Sequence, residues 1–112
     1  MRIRWPIRCR ALQQTPRLDR GFRAFKECRA NIERPPSEYL KAWYYDTVNF
    51  DHDSLMLGIK FAGASHILAG SDYPHAIGSI PSMKAALHGL SISVDDTAAI
   101  FGGNAARLYK LG

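Results

Sequence analysis

The sequence predicts an α/β fold in which short parallel strands alternate with amphipathic helices. Ile67, Leu68 and Ala69 form an apolar run without polar alternation, as is typical of a strand buried on both faces of a parallel sheet. Residues 44–48 are rich in β formers, and residues 52–62 carry apolar side chains at helical spacing. A helix between two strands of one sheet makes a right-handed βαβ unit, so we expect the two strands to be parallel.

Local signals set the limits of the elements in the first half of the chain. Residues 18–33 are predicted to be helical, with their apolar and basic side chains on different faces. The run Pro35-Pro36-Ser37-Glu38 is a stop followed by a helix start. Asn49 and Asp51 offer caps for the helix over 52–62, and Gly63 is a natural end for it.

The second half is predicted to hold one strand and two helical regions. The strand covers residues 66–71, and the first helix covers 80–90, with a proline in its first turn. Ser93 and Asp96 form an acidic capping box that opens a final helix. Gly102-Gly103 is expected to interrupt that helix before a last turn.

Length and composition limit the chain to one small domain. It has 112 residues, of which 46% are hydrophobic, enough for a core. No apolar stretch approaches the roughly 20 residues of a membrane helix, and no apolar region follows the basic start as a secretory signal requires. We therefore expect a cytoplasmic protein, in which Cys9 and Cys28 are reduced, with a disulfide between them as the alternative.

The charge is concentrated near the beginning of the chain. Residues 1–34 carry a net charge of +7 and residues 35–112 a net charge of −2. Residues 1–16 show no regular period, and we interpret them as a poorly ordered basic arm. Such an arm can bind nucleic acid or an acidic surface. A solvated basic face is favoured because aromatic stacking platforms are not interleaved with the arginines.

Polar side chains follow both predicted strands. Asp46, Thr47 and Asn49 come at the end of the first, and Ser71 and Asp72 at the end of the second. The carboxyl ends of parallel strands are where α/β folds hold ligands and catalytic groups, so Asp72 is the main candidate. The alternative is that Asp72 only closes an Asx-turn after the strand.

Four motifs in order give the chain a family resemblance. They are Pro35-Pro36-Ser37-Glu38-Tyr39-Leu40, Tyr44-Tyr45-Asp46-Thr47, Gly70-Ser71-Asp72-Tyr73-Pro74-His75 and Gly103-Asn104-Ala105-Ala106-Arg107-Leu108. From about Arg17 to the end, the sequence resembles the C-terminal part of the metal-dependent amidohydrolase superfamily. The branch it resembles contains aminocarboxymuconate-semialdehyde decarboxylase and related aromatic-acid decarboxylases.

The resemblance implies a partial (β/α)₈ barrel, of which residues 17–112 would supply the last two strands and their helices. It implies that Asp72 binds a divalent metal, which in the family is usually zinc, and relays a proton as a catalytic residue. It also implies that Arg17 reaches a substrate carboxylate, in some members across a dimer interface, while a surface role for this arginine is the alternative. His75 occupies a variable loop position that would face the site.

The sequence departs from the family pattern in its metal ligands. The His-x-His pair and the mid-barrel histidines of the family are absent, and residues 8–16 hold no histidine. We interpret His52, His66 and His88 as residues of a helix start, a strand start and a helix surface. Because a catalytic zinc needs about three protein ligands, we do not expect this chain alone to hold a metal tightly.

The functional prediction is therefore a fragment of a metal-dependent decarboxylase or hydrolase that acts on a small carboxylated, aromatic-derived substrate. The isolated chain is expected to be inactive, and to need a second copy or the missing N-terminal part of the barrel. The alternative is a non-enzymatic remnant or binding module that uses its basic arm. Neither hypothesis includes a membrane partner, and nucleic acid is the less favoured partner.

Overall fold

In a computed structural model, the backbone of residues 4–6 and the whole of residues 12–112 are described. The strands are β1 (Arg4–Pro6), β2 (Tyr44–Asp46) and β3 (Ile67–Leu68). The helices named here are α1 (Thr15–Ala24), α2 (Pro36–Lys41), α3 (His52–Ala62), α4 (Ile80–His88), α5 (Val94–Ala98) and α6 (Asn104–Leu108). Short 3₁₀ turns cover Lys26–Arg29 and Ala64–His66, and a π-helical segment covers Ala99–Gly103.

The strands form one parallel sheet in the order β1-β2-β3. Tyr45 pairs with Ile67 and Asp46 with Leu68, so the predicted parallel pairing of β2 and β3 is confirmed. The predicted arm differs from the structure at Arg4–Pro6, which form β1 and pair with β2. A parallel pair joins segments far apart in the chain, so it leaves no local turn signal near β1. Residues 7–11, including Cys9, lie outside the described residues.

Both predicted strands are shorter than expected because other groups take over their backbone hydrogen bonds. After β3, the N–H of Ala69 donates to the carbonyl oxygen of Ile100 at 3.0 Å. Beyond it, the N–H of Gly70 donates to the hydroxyl of Thr47 at 3.0 Å. The sheet therefore ends near Leu68, and side-chain bonds continue the connection toward residue 70.

The helix predicted over 18–33 begins earlier and ends sooner. It starts at Thr15 and ends at Ala24, where Phe25 takes an extended conformation with ψ of 124°. By contrast, the helix predicted over 52–62 is confirmed, and the Asp51 side chain accepts the N–H of Ser54 as its cap. Gly63 ends this helix with φ of 84°, in the region that favours glycine.

The C-terminal helices run together where a break was predicted. Ser93 caps α5 by accepting the N–H of Asp96, as the capping box indicated. Gly102-Gly103 does not interrupt the helix, because the π-helical segment that contains both glycines joins α5 directly to α6. Apart from its own helix backbone and chain neighbours, no described residue comes within 4 Å of a Cβ placed at Gly102, so packing does not require glycine there.

The core lies between the sheet and helices α3, α4 and the π-helical segment. Its buried hydrophobic members are Leu12, Tyr45, Leu55, Ile67, Leu87, Leu90 and Ile100. Asn104 is 0% exposed at the start of α6, and its amide donates to the carbonyl oxygens of Ala64 and Ile67 at 2.7 and 2.8 Å. Within the described part of the chain, none of the helices is long and apolar enough to cross a membrane.

Candidate functional site

The carboxyl ends of β2 and β3 are joined by a side chain. The hydroxyl of Thr47 donates to the carbonyl oxygen of Gly70 at 3.2 Å and accepts the N–H of the same residue. Asp46 is 5% exposed, and its Oδ1 accepts the N–H of Val48 at 3.3 Å. A Cβ at Gly70 would lie 3.1 Å from Val48 Cγ1 and 3.2 Å from Asp46 Cβ, which explains the small residue.

The segment after β3 is a closed loop that begins and ends with a backbone hydrogen bond. The N–H of Ser79 donates to the carbonyl oxygen of Ser71 at 2.8 Å, and Ser79 then caps α4. Inside the loop, the N–H of His75 donates to the carbonyl oxygen of Asp72 at 2.9 Å. A Cβ at Gly78 would overlap that same carbonyl group, so the loop can close only around glycine. These contacts fix the backbone of Asp72.

The structure does not support an Asx-turn at Asp72. Such a turn needs the N–H two residues further on, and that residue is Pro74, which has none. The turn bond comes instead from Ser71, whose hydroxyl accepts the N–H of Tyr73 at 3.3 Å. Asp72 has φ of 56°, a left-handed conformation that aspartate tolerates better than most residues.

The Asp72 carboxylate is available to a ligand. Asp72 is exposed, and no hydrogen bond or ion pair joins its side chain to another residue of the described chain. A carboxylate is an acceptor and a hard oxygen ligand, so it can take a proton, a hydrogen-bond donor or a divalent cation. The loop therefore presents one acidic group at the mouth of the sheet.

The other two predicted site residues lie in different places. His75 is exposed in the same loop as Asp72, and their backbones are hydrogen-bonded. Arg17 lies on α1, where it lines a cavity of about 360 Å³ with Arg20, Gly21, Ala24 and Phe25. None of these lining residues comes from the loop over 71–79. The structure therefore groups His75 with Asp72 and does not place Arg17 with them.

The described residues do not fit a complete metal centre. Among residues 4–6 and 12–112, no group of three or more His, Cys, Asp or Glu side chains could hold a metal ion. A catalytic zinc needs about three protein ligands, and Asp72 is one. A metal at this edge would need ligands from outside the described residues.

The remaining histidines have the structural positions predicted for them. His52 is the first residue of α3, and its Nδ1 lies 3.2 Å from Asp53 Oδ1. His66 precedes β3, stacks on Tyr44 with ring centroids 4.6 Å apart, and its Nδ1 lies 3.0 Å from the carbonyl oxygen of Trp43. His88 ends α4 and lies against Phe101.

Two features were not identified from the sequence. The double hydrogen bond of Thr47 to Gly70 links residues that are 23 positions apart, so no local pattern reveals it. The second feature is a cavity among α1, α2 and α3 that lies outside the Asp72 loop. Asp19 lines it and accepts the N–H of Ser37 at 2.9 Å, and this hydrogen bonding holds the pKa of its carboxyl below the usual value.

Comparison with known families identifies the class of protein. The sequence profile of the amidohydrolase family Amidohydro_2 matches residues 11–111. The chain belongs to this family. The resemblance given by the four motifs is thereby confirmed, and so is the partial barrel, to which the structure adds β1 as a third parallel strand.

Solved structures of decarboxylases share this fold. The dihydroxybenzoic acid decarboxylase of Polaromonas sp. JS666, solved with manganese and 2-nitroresorcinol, is 26% identical with a TM-score of 0.83, over 98% of this chain and 34% of that one. A 2,6-dihydroxybenzoate decarboxylase in complex with 2,6-dihydroxybenzoate is 25% identical with a TM-score of 0.82, over 98% and 35%.

A third structure, the 5-carboxyvanillate decarboxylase LigW of Sphingomonas paucimobilis, shows the same fold at 22% identity. Its TM-score is 0.83, over 99% of this chain and 34% of that one. The chain thus spans about a third of the length of these enzymes. No curated protein matched the chain.

Proposed function

We propose that this chain forms the Asp72 side of a metal-dependent decarboxylase site that acts on a small carboxylated aromatic compound. The observation that carries the proposal is the loop over 71–79, which holds an unpaired carboxylate at the carboxyl end of a parallel sheet. The relatives support it, because two at 25–26% identity are decarboxylases of dihydroxybenzoates. Hydrolysis remains the alternative reaction class.

In the proposed site, Asp72 is one ligand of a divalent metal whose other ligands come from outside the described residues. The family resemblance favours zinc. Manganese is the better candidate, because the related Polaromonas decarboxylase was solved with manganese. We propose that an isolated chain has too few ligands to hold either ion and is inactive, since one carboxylate does not make a stable metal centre.

The substrate carboxylate would be held by arginine. Arg17 is exposed on α1 and lines a cavity to which the Asp72 loop contributes no residue, so it would serve a site completed by a second copy or by the rest of a barrel. Its planar guanidinium is suited to two parallel hydrogen bonds with a carboxylate. His75, exposed beside Asp72, would donate to a polar group of the substrate.

A chimera tests the proposed role of Asp72. Residues 12–112 replace the matching third of the Polaromonas decarboxylase, and manganese binding and release of CO₂ from a dihydroxybenzoate are measured. We expect Asp72→Asn to weaken manganese binding by about tenfold or more and to abolish turnover, since loss of metal-site contacts commonly costs that much. Asp95→Asn removes an exposed carboxylate from the first turn of α5 and is the matched control.

Two results would contradict the proposal. The first is a folded Asp72→Asn chimera, judged by circular dichroism, that binds manganese as tightly as the unsubstituted chimera. The second needs no chimera: a stoichiometric, sub-micromolar manganese or zinc site in the isolated 112-residue chain would show that the chain holds a metal without outside ligands.

A further inference from the structure

A second cavity lies on the helical side of the molecule, away from Asp72. It has a volume of about 390 Å³, and its lining comes from α1, α2 and α3 together with Leu12. None of its lining residues belongs to the loop over 71–79. It is therefore distinct from the proposed active-site edge.

The charges around this cavity favour an anion. Arg20, Arg23 and Lys41 line it and are exposed, and among the lining residues that the structure describes Asp19 is the one carboxylate. Three cationic groups against one carboxylate leave an excess of two positive charges. The Asp19 carboxylate is already engaged, because its Oδ1 accepts the backbone N–H of Ser37 at 2.9 Å. The excess charge thus matches a ligand that carries two negative charges.

A buried hydroxyl beside the cavity has no partner. Thr15 is 3% exposed and lines the cavity at the start of α1. Its Oγ1 is buried and makes no hydrogen bond within the described residues. A buried polar group without a partner costs free energy, and such groups are few in folded proteins. A small movement that let a ligand oxygen reach Oγ1 would satisfy it.

The remaining wall is apolar. Leu12, Pro16 and Phe61 line the cavity, and Lys41 Nζ lies 5.7 Å from the centroid of the Phe61 ring. That distance is within the range of a cation–π contact, which keeps the ammonium group next to the apolar wall. A ligand with a doubly charged end and an apolar end is complementary to both parts of the lining.

We propose that this cavity binds a small phosphate monoester. The phosphate group lies against Arg20, Arg23 and Lys41, since arginine binds phosphate through two parallel hydrogen bonds and lysine binds it as a point charge. The organic group lies against the wall formed by Leu12, Pro16 and Phe61. Thr15 Oγ1 donates to a phosphate oxygen in the bound state.

The experiment titrates the 112-residue chain with phenyl phosphate at constant ionic strength, using isothermal titration calorimetry and ³¹P NMR. We expect one saturable site, occupied at least tenfold more tightly by phenyl phosphate than by benzoate, which carries a single charge. Inorganic phosphate is expected to bind several-fold more weakly than phenyl phosphate, because it lacks a group to bury against Phe61. Equal binding of all three anions would overturn the proposal.

Charge-neutralising variants locate the site. Arg23→Gln and Lys41→Gln are each expected to weaken phenyl phosphate binding by about tenfold, the usual loss for one charge-assisted contact. Lys84→Gln, an equal change at an exposed residue of α4 that does not line the cavity, is expected to leave binding unchanged. If all three variants weakened binding equally, phenyl phosphate would be attracted by the overall positive charge of the protein. That result would overturn the proposed site.

Thr15→Val gives an independent measurement. Valine keeps the shape of threonine and removes the hydroxyl, so we expect phenyl phosphate binding to weaken several-fold while the free chain becomes more stable. Because a folding defect would lower both the stability and the binding, weaker binding in a more stable chain identifies a lost contact with the ligand. Unchanged binding in a folded Thr15→Val chain would overturn the assignment of its hydroxyl to the ligand.

Discussion

At the scale of single residues, close backbone contacts determine the conformation of the loop that holds Asp72. Asp72 has a left-handed backbone and an exposed carboxylate, and its carbonyl is held by the N–H of His75. Gly78 is required opposite that carbonyl because any Cβ would overlap it. The position of the candidate acid is thus determined by the backbone of its loop, while its side chain stays free of hydrogen bonds in the described chain.

Thr15 gives a prediction about stability at the same scale. Because its buried hydroxyl makes no hydrogen bond within the described residues, we expect Thr15→Val to raise the free energy of unfolding by about 1 kcal/mol. Urea unfolding followed by circular dichroism measures the change. Thr97→Val is the matched control, since it removes a hydroxyl that donates to the carbonyl oxygen of Ser93 and should not stabilise. Equal effects of the two substitutions would contradict the prediction.

At the scale of elements, a few side-chain hydrogen bonds connect helices and strands to one another. Thr47 joins the ends of β2 and β3 through the backbone of Gly70. The Tyr45 hydroxyl donates to the carbonyl oxygen of Leu40 at 2.7 Å and so ties β2 to the end of α2. Asn104 joins α6 to β3 and to the 3₁₀ turn before it. Each of these side chains donates to a backbone carbonyl oxygen of another segment.

Asn104 carries the prediction for this scale. Asn104→Ala removes the fully buried amide that donates to the carbonyl oxygens of Ala64 and Ile67. We expect the free energy of unfolding to fall by about 2 kcal/mol, since two hydrogen bonds worth about 1 kcal/mol each are lost. The measurement is again urea unfolding, with Asn31→Ala as the control, since Asn31 is exposed and lies outside any helix or strand. A loss no larger than that of the control would show that water replaces the amide.

At the scale of the whole molecule, the described residues form a three-stranded sheet packed against helices. In the described chain, β1 and β3 each pair with β2 alone, so each leaves one edge of the sheet without a strand partner. Apolar side chains are also exposed on the surface, including Ile77 at 87% and Val94 at 84%. Unpaired strand edges and exposed apolar side chains favour association with another strand or another protein surface. This agrees with a chain that spans about a third of related barrels.

Alkaline pH is expected to destabilise the molecule through Tyr45. Burial raises the pKa of Tyr45 to about 12, above its value of 10.0 in an unfolded chain. As pH rises, the Tyr45 hydroxyl therefore loses its proton in the unfolded state before it does so in the folded state. Its contribution to the free energy of unfolding is complete below pH 10 and is lost as pH rises toward 12. We expect a loss of about 1 kcal/mol between pH 8 and pH 11.

The variant Tyr45→Phe isolates this effect. It cannot ionise, so its free energy of unfolding should fall less than that of the unsubstituted chain between the two pH values. At pH 8 it should already be less stable, because the hydrogen bond to Leu40 is missing. Parallel pH profiles for the two proteins would show that Tyr45 ionises equally in the folded and unfolded states.

The sequence by itself determined the features that depend on neighbouring residues. The helix over 52–62 follows from the cap at Asp51 and the glycine at its end, and Ser93 and Asp96 open α5 as their spacing indicated. Four ordered motifs predicted the family, and the family profile confirmed it. The position of Asp72 after a buried parallel strand was also predicted, because a short apolar run followed by small and acidic residues is a local pattern.

Only the tertiary structure decided which distant groups meet. Asn104 reaches residues 37 and 40 positions away, and Thr47 bonds a residue 23 positions away. The strand β1 and the cavity among α1, α2 and α3 likewise depend on segments brought together by folding. Local sequence sets backbone preferences over a turn or two, whereas burial and hydrogen bonding select among the many long-range pairings that those preferences allow.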